Sequence, residues 1–442
     1  MNVRFSATGD ALITRRACDW QSAGFKRLLD VLASTSARFT NVETLFPNGL
    51  GYAAADWGGT FVCSPPGCLD DLVGMGFNLF SRANNHAGDW AGEGLLETTR
   101  VFEARGVCHA GAGKNLAEAR SPGYLDLAGG KIALLAVATS APNATYRAGA
   151  QRPDCRGRPG VSALRFSEYT IVPPATLELV KEIAGKTRHE PDKRYHVDLG
   201  FRPKDPEGVF VFGDIKFKVG DDFDEGWECH RGDFEDIMRY VRDARRQADY
   251  VLVSFHGHEL PGKDHDGVPS FHQDFCRACI DAGSDAVMGH GPHRLRGIEV
   301  YKGKPIFYSL GNFIFQNEEP VVQPADFYER VGVDPLLSTP AEAFDRRNSR
   351  GKGGFLADSG YWESVIACWD MQDGVVRDVR LYPIDLGFGG KTRSQRGRPM
   401  LAERELGQKI IGKLNRLSQP LGTRVVWNED GYGTVETNRT EG

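Results

Sequence analysis

Four polar clusters carry the residue types that hold a cation and move protons. They are Gly9-Asp10, Asn41-Val42-Glu43, Asn84-Asn85-His86, and His256-Gly257-His258-Glu259 taken with Gly289-His290-Gly291-Pro292-His293. Carboxylate, amide oxygen and imidazole together suit a borderline divalent ion such as Zn2+, Mn2+ or Fe2+ better than a metal that prefers thiolate. Six of the eleven histidines fall between His256 and His293. Imidazole is the commonest metal ligand and the side chain best poised to exchange a proton near neutral pH. His256 and His290 stand beside glycine just after apolar, strand-like runs, and His293 follows two residues after Gly291, so the backbone can pass close to an ion. These three read as ligands, with Asp10, Glu43 and Asn85 supplying oxygen, and one well-held ion is expected. His86, next to Asn85, is the candidate general acid or base. Asp89, His258 and Glu259 join it as catalytic candidates. His189, His196, His230, His265 and His272 show no partner pattern and read as caps or surface groups.

Each cluster must be carried by an element that delivers it to a common point. Residues 2–8 alternate as a strand, residues 23–34 have amphipathic-helix spacing, and a second strand runs into Asn41. The rhythm repeats with a helix at 67–75, strand 77–81, helix 92–105 and a strand near 107. A hairpin turns about Ala128-Gly129-Gly130-Lys131. After residue 232 come helix 233–247, strand 249–253, helix 270–282, strand 285–288 and further strands within 297–315, with a turn at Lys302-Gly303-Lys304. This alternation predicts an α/β layered fold, mixed central sheets flanked by helices. In such folds the carboxyl ends of strands face the crevice, so clusters far apart in sequence can meet there. The span 139–232 is rich in Pro, Gly and charge, with one helical stretch near 175–185, and reads as an inserted lid lobe. Residues 1–316 are therefore expected to form one catalytic domain interrupted by that insert. Residues 317–442 read as an irregular segment, a β-hairpin around Asp373-Gly374 and a helix at 400–417, packed on the same domain.

Composition narrows the function classes. With 442 residues, 40% hydrophobic and 26% charged, the chain is that of an ordinary globular protein. Its net charge of -5 offers no positive field for a phosphate backbone, so nucleic acid is not an expected partner. No apolar run reaches the roughly 20 residues of a membrane span, and the first residues lack the charged-then-apolar order of a secretory signal. A cytoplasmic protein with no membrane partner is expected. Nine cysteines, an odd number dispersed from Cys18 to Cys368, argue against a disulfide framework. Cys276 and Cys279 read as core. Composition leaves the oligomeric state open.

Seven stretches, in order and spacing, carry a resemblance: Gly9-Asp10, Asn41-Val42-Glu43, Ala83-Asn84-Asn85-His86-Ala87-Gly88-Asp89, Gly111-Ala112-Gly113, Ser254-Phe255-His256-Gly257-His258-Glu259, Gly289-His290-Gly291-Pro292-His293 and Tyr308-Ser309-Leu310-Gly311-Asn312-Phe313. On these the chain resembles the poly-γ-glutamate capsule biosynthesis (CapA) family of the calcineurin-like metallophosphatase superfamily. The resemblance implies a metallophosphatase-like fold, a divalent metal and a peptide-like, carboxylate-rich substrate such as poly-γ-glutamate. Three positions depart from the superfamily pattern: Asp10-Ala11-Leu12 replaces Asp-x-His, Glu43 stands for the bridging Asp, and Pro292 enters the last His motif. They point to one well-held ion rather than a full two-metal phosphoesterase centre. Two basic stretches, with Arg156 and Arg158 in the insert and Arg396 and Arg398 near the carboxyl terminus, could grip substrate carboxylates bidentately. The leading expectation is a metal-dependent hydrolase of a peptide or γ-glutamyl-type amide, with His86 protonating the leaving nitrogen. The alternatives are a metal-assisted peptide epimerase that abstracts a Cα proton, as in lasso-peptide tailoring, a non-catalytic capsule biosynthesis factor, and a phosphoesterase.

Overall fold

In the computed structural model, which describes residues 3–17, 19–55, 59–139, 146–372 and 374–436, the chain builds two large mixed sheets. Cys18, Asp373 of the expected hairpin turn and residues 140–145 of the expected insert lie outside the described residues. Val3–Leu12 is buried along nearly its whole length and sits mid-sheet. On one side it pairs in parallel with Ala37–Val42, followed by Leu79–Ser81 and Cys108–Ala110. On the other it pairs antiparallel with Glu363–Gln372 and, nearer its end, parallel with Asn312–Phe315. The second sheet runs in the order Ile298–Tyr301, Lys304–Phe307, Ala286–His290, Tyr250–His256, Gly130–Ala138 and Gly123–Leu127.

The two sheets share one core. Val3, Phe5, Phe39 and Leu79 of the first pack with Ile132, Leu134, Leu252 and Met288 of the second. Phe5 stacks on Trp369 with ring centroids 5.3 Å apart. The outer face of the first sheet is covered by the helix Ala23–Ala33, whose Phe25, Leu28 and Leu32 pack with Leu12, Val42 and Phe80. Ser22 caps that helix by accepting from the Phe25 amide at 3.2 Å. Helices Arg231–Arg245 and Ser270–Asp281 flank the second sheet's strands in sequence as expected. Cys276 and Cys279 are buried in the core. Among the described residues no helix is long and apolar enough to cross a membrane.

Three segments differ from the sequence reading. Residues Leu164–Phe234, with Pro261–Lys263, form a separate compact unit. It begins at 164 rather than 139, because Gly160–Val161 pairs with Ala112–Gly113 of the larger unit. The smaller unit holds helices Pro174–Lys186 and His189–Asp198 and a four-stranded sheet, not one helix in irregular chain. Its strand Val209–Phe212 is only half-buried at every position, so neither face stands out in the sequence. Residues 317–360 contain helices Ala325–Val331 and Pro340–Arg347, the second opened by a Thr339–Glu342 capping box. A last hairpin, Arg424–Asn428 with Tyr432–Glu436, extends the first sheet.

Gly9 lies where two backbones almost touch. A Cβ there would land on the carbonyl oxygen of Gly311, which accepts the Asp10 amide at 3.0 Å. Gly9→Ala is expected to lower unfolding free energy by about 1–3 kcal/mol, the cost of overpacking a tight site. Gly74→Ala, whose Cβ meets nothing within 4 Å, should leave it unchanged or slightly raised. Urea titration of the two variants checks both outcomes.

Candidate metal centre

The carboxyl ends of the two sheets deliver the clusters to one place. Val3–Leu12 shifts register at Asp10 in both of its parallel pairings, an irregularity of the kind that re-aims a side chain. Glu43 follows the last residue of Ala37–Val42, and Asn84-Asn85-His86 follows Leu79–Ser81. From the second sheet, His256 and His290 are register partners at the ends of adjacent parallel strands. His293 lies three residues on, held at φ 58°, a conformation uncommon outside glycine that marks a constrained site. Gly291 makes the turn: its amide donates to Asp10 Oδ2 at 2.9 Å, and a Cβ there would crowd the Gly257 backbone.

Asp10, Glu43, His256 and His290 are all buried. Asp10 Oδ1 lies 3.2 Å from His290 Nδ1 and 3.8 Å from His256 Nδ1, while Oδ2 lies 3.6 Å from His293 Nδ1. Glu43 Oε1 is 3.7 Å from His256 Nε2, and Oε2 is 3.7 Å from His293 Nδ1. His256 Nδ1 faces His290 Nδ1 at 2.8 Å, and its Nε2 faces Asn85 Oδ1 at 2.8 Å and His258 Nε2 at 3.1 Å. Three groups have ligand atoms within 4.8 Å of one another: Asp10, His256 and His290; Glu43, His256 and His258; Asp10, Glu43 and His293.

The donor set fits a divalent cation. Neither carboxylate oxygen of Glu43 has a hydrogen-bond partner among the described residues, although both are buried. A carboxylate left that way is costly unless a cation meets it. Burial, with the charges of Asp10 and Asp89, pushes the Glu43 carboxyl well above its usual range. Asp10 goes the other way: burial opposes ionisation, but the His290 hydrogen bond and the neighbouring His256 and His293 hold it below the carboxylate range. Burial lowers His256 and His293 and takes His258 down to about 3. These imidazoles are therefore neutral, the form that ligates metal.

Supporting groups fix the donors in place. Asn41 Nδ2 donates to Asp10 Oδ1 at 2.8 Å, and Ser254 Oγ meets His290 Nε2 at 2.7 Å. Asn312 Oδ1 meets His293 Nδ1 at 2.8 Å, and its Nδ2 donates to the His293 carbonyl. In the sequence Asn41 and Asn312 were visible only as members of motifs, and Ser254 gave no separate signal.

The proton-handling candidates part company. His86 Nδ1 meets Asp89 Oδ2 at 2.7 Å, and the same oxygen accepts from the Val62 amide at 2.8 Å. His86 and His258 line a cavity of about 320 Å3 beside Asn85 and His293. Asp89 is buried and reaches the cavity only through its contact with His86. Glu259 does not line that cavity; its Oε2 meets Thr139 Oγ1 at 2.7 Å and His272 Nε2 at 2.9 Å. His272, read as a cap or surface group, is instead buried against Glu259. His265, read the same way, is exposed and lines the cavity.

None of the four arginines chosen from sequence lines the cavity. Arg156 and Arg158 are exposed, and Arg158 Nε donates to the Arg147 carbonyl. Arg396 is paired with Glu318 at 2.7 Å, and Arg398 lies over the Trp20 ring. The cavity's cations are Arg294, Arg296 and Arg347. A basic run says nothing of where its counter-ions lie, and Arg294-Leu295-Arg296 follows the last His motif too closely to stand out as a run of its own.

Fold and site together define an α/β protein of metallophosphatase-like layering, with residue groups able to bind a metal where its strands end. The chain belongs to the bacterial capsule synthesis protein PGA_cap family, whose model matches residues 4–317. It is 36% identical over 438 residues to the uncharacterized protein y4sH of Sinorhizobium fredii, covering 97% of this chain and 92% of that one. It is 28% identical over 246 residues to the PGA biosynthesis protein CapA of Bacillus subtilis, covering 55% of this chain and 44% of that relative. Similarity to the capsule biosynthesis protein CapA of Bacillus anthracis is 26% over 241 residues, covering 54% and 40%.

Because the Glu43 carboxyl is raised by folding, its contribution is present below its ordinary range and lost as pH climbs through the folded value. In chelator-treated protein, Glu43→Gln is therefore expected to raise unfolding free energy at pH 8 by about 1–3 kcal/mol, the scale of one buried unsatisfied group. The gain should shrink toward pH 4. Added Zn2+ should stabilise the wild type more than the variant, which thermal unfolding with and without the ion measures.

Proposed function

We propose that this protein is a metal-dependent hydrolase acting at a peptide or γ-glutamyl-type amide. The observation that carries the reading is His86, held by Asp89 and lining the same cavity as His258 and His293 of the candidate cation site. Relatives named for capsule and PGA biosynthesis support a poly-γ-glutamate-like chain as the substrate and a role in capsule polymer metabolism. Asp10, Glu43, Asn85, His256, His290 and His293 would hold a divalent ion, Zn2+, Mn2+ or Fe2+. Such an ion supplies Lewis acidity to a carbonyl oxygen and acidity to a water. With Nδ1–H committed to Asp89, His86 keeps Nε2 to exchange a proton with the leaving nitrogen, and Asp89 stabilises the imidazolium that carries it. Burial of the surrounding groups keeps bulk water from competing for that proton.

A second reading has a specific support: His86 and His258 line the cavity together. Two proton-handling imidazoles on one substrate are what Cα epimerisation needs, one to remove the proton and the other to return it.

Metal analysis of purified protein should find a divalent ion in the wild type and little in His290→Ala. His86→Ala should keep its ion and lose kcat by about a hundredfold to ten-thousandfold on γ-glutamyl peptides. Incubation in D2O separates the readings: cut peptide without Cα deuterium supports hydrolysis, and uncut peptide carrying Cα deuterium replaces it with epimerisation. Wild-type protein that takes up no ion would sink both.

A further inference from the structure

Among the described residues, the cavity beside the candidate cation site is lined by three arginines and four histidines and by no carboxylate, in a chain whose net charge is -5. Arg294 is spent on Asp266 at 2.7 Å and on Asp358. The other two guanidiniums form no ion pair among the described residues, although Glu259, Asp266 and Asp264 lie near enough to Arg296 to favour its charge. Arg296 is 1% exposed; its Nη2 donates to the Glu259 carbonyl at 2.6 Å, and its buried Nε has no hydrogen-bond partner among the described residues. Arg347 donates to the Thr60 hydroxyl, and among the described residues neither it nor Arg296 forms an ion pair with a carboxylate. A buried cation lacking its counter-ion is expensive. The strain shows in both groups: burial lowers Arg347 and takes Arg296 down to about 10. A ligand anion entering the cavity would relieve it and gain charge-assisted hydrogen bonds.

Resting on the hydrolase reading above, we infer that Arg296 and Arg347 form an anchoring subsite for a free carboxylate next to the amide that is attacked. Phe355 and Tyr361 line the same cavity and offer apolar contact to the methylenes of a glutamyl side chain. At about 320 Å3 the cavity is near the lower end of ligand sites, roughly 300–1,000 Å3. It has room for a chain end, so the substrate class is a peptide whose terminal residue bears the carboxylate. Arg296 and Arg347 are specificity residues in this scheme.

The test is equilibrium binding of glutarate to the zinc-loaded full chain, with inorganic phosphate as a second probe. Glutarate should bind the wild type and lose tenfold to a hundredfold in affinity in Arg296→Gln and in Arg347→Gln. Arg347→Lys, which keeps the charge without the planar fork, should fall between, and it carries the test should the Gln variant not fold. Unchanged affinity in the variants, no glutarate binding to the wild type, or phosphate binding tighter than glutarate would each overturn the subsite. Activity separates this inference from the reading under it. Arg-dependent glutarate binding without any amide cleavage supports the subsite and defeats only the hydrolase. Cleavage of α-carboxamide peptides as fast as free α-carboxylates defeats only the subsite.

Discussion

Two buried carboxylates on neighbouring parallel strands set the terms for everything around them. Asp10 and Glu43 share His293 at 3.6 and 3.7 Å, and neither is exposed. Both cannot carry charge in so dry a place unless positive charge joins them. The protein's own side chains meet half of that demand. Asp10 takes an amide proton from Asn41, a backbone proton from Gly291 and the neighbourhood of three imidazoles. Glu43 receives nothing, and the imidazoles around it are kept neutral by burial. Two carboxylates and several neutral nitrogens would balance one doubly charged ion, so the donor set suits a divalent cation.

The architecture serves that centre by converging strand ends rather than by enclosing a loop. Asp10, Glu43 and Asn85 come from one sheet, His256 and His290 from the other, and the shared core of Phe5, Phe39, Leu252 and Met288 locks the two together. Convergence demands close backbone approach. Gly9 against Gly311 and Gly291 against Gly257 supply it, and His293 accepts a left-handed backbone. Behind the donors, Asn41, Ser254 and Asn312 each spend a hydrogen bond on orientation. His86 is oriented likewise by Asp89, and it lines the cavity beside Asn85 and His293.

How much of this could be read from the chain depends on whether a residue's role is local. His256 and His290 each close a largely apolar strand, while Asp10 and Glu43 fall at or just past the segments read as strands from the pattern, close to where the structure places them. The alternation of strand and helix likewise gave the layered α/β fold. Roles set by distant partners were invisible. Arg396 and Arg296 look equally available in sequence, yet Glu318 claims the first and no carboxylate claims the second. His272 resembles a surface histidine until Glu259 folds onto it. In Leu164–Phe234 the strands are half-buried on a small sheet, so the two-residue period that marks a strand is faint. The Asp430-Gly431 turn of the last hairpin was a readable hairpin signal that the sequence reading did not use.

The pairing of Val3–Leu12 with Glu363–Gln372 has a bearing on biosynthesis. Every candidate donor has been synthesised once residue 293 is made, but the flank of Val3–Leu12 spanning residues 3–7 waits for a neighbour some 360 positions later. Contacts that distant close slowly. Until then the strand carrying Asp10 is an open edge, able to pair with other chains, and assembly of the full candidate donor set waits for near-completion of translation. Trimming the gene to the segment shared with the family would thus yield a polypeptide that has all its donors and lacks the partner that keeps them registered.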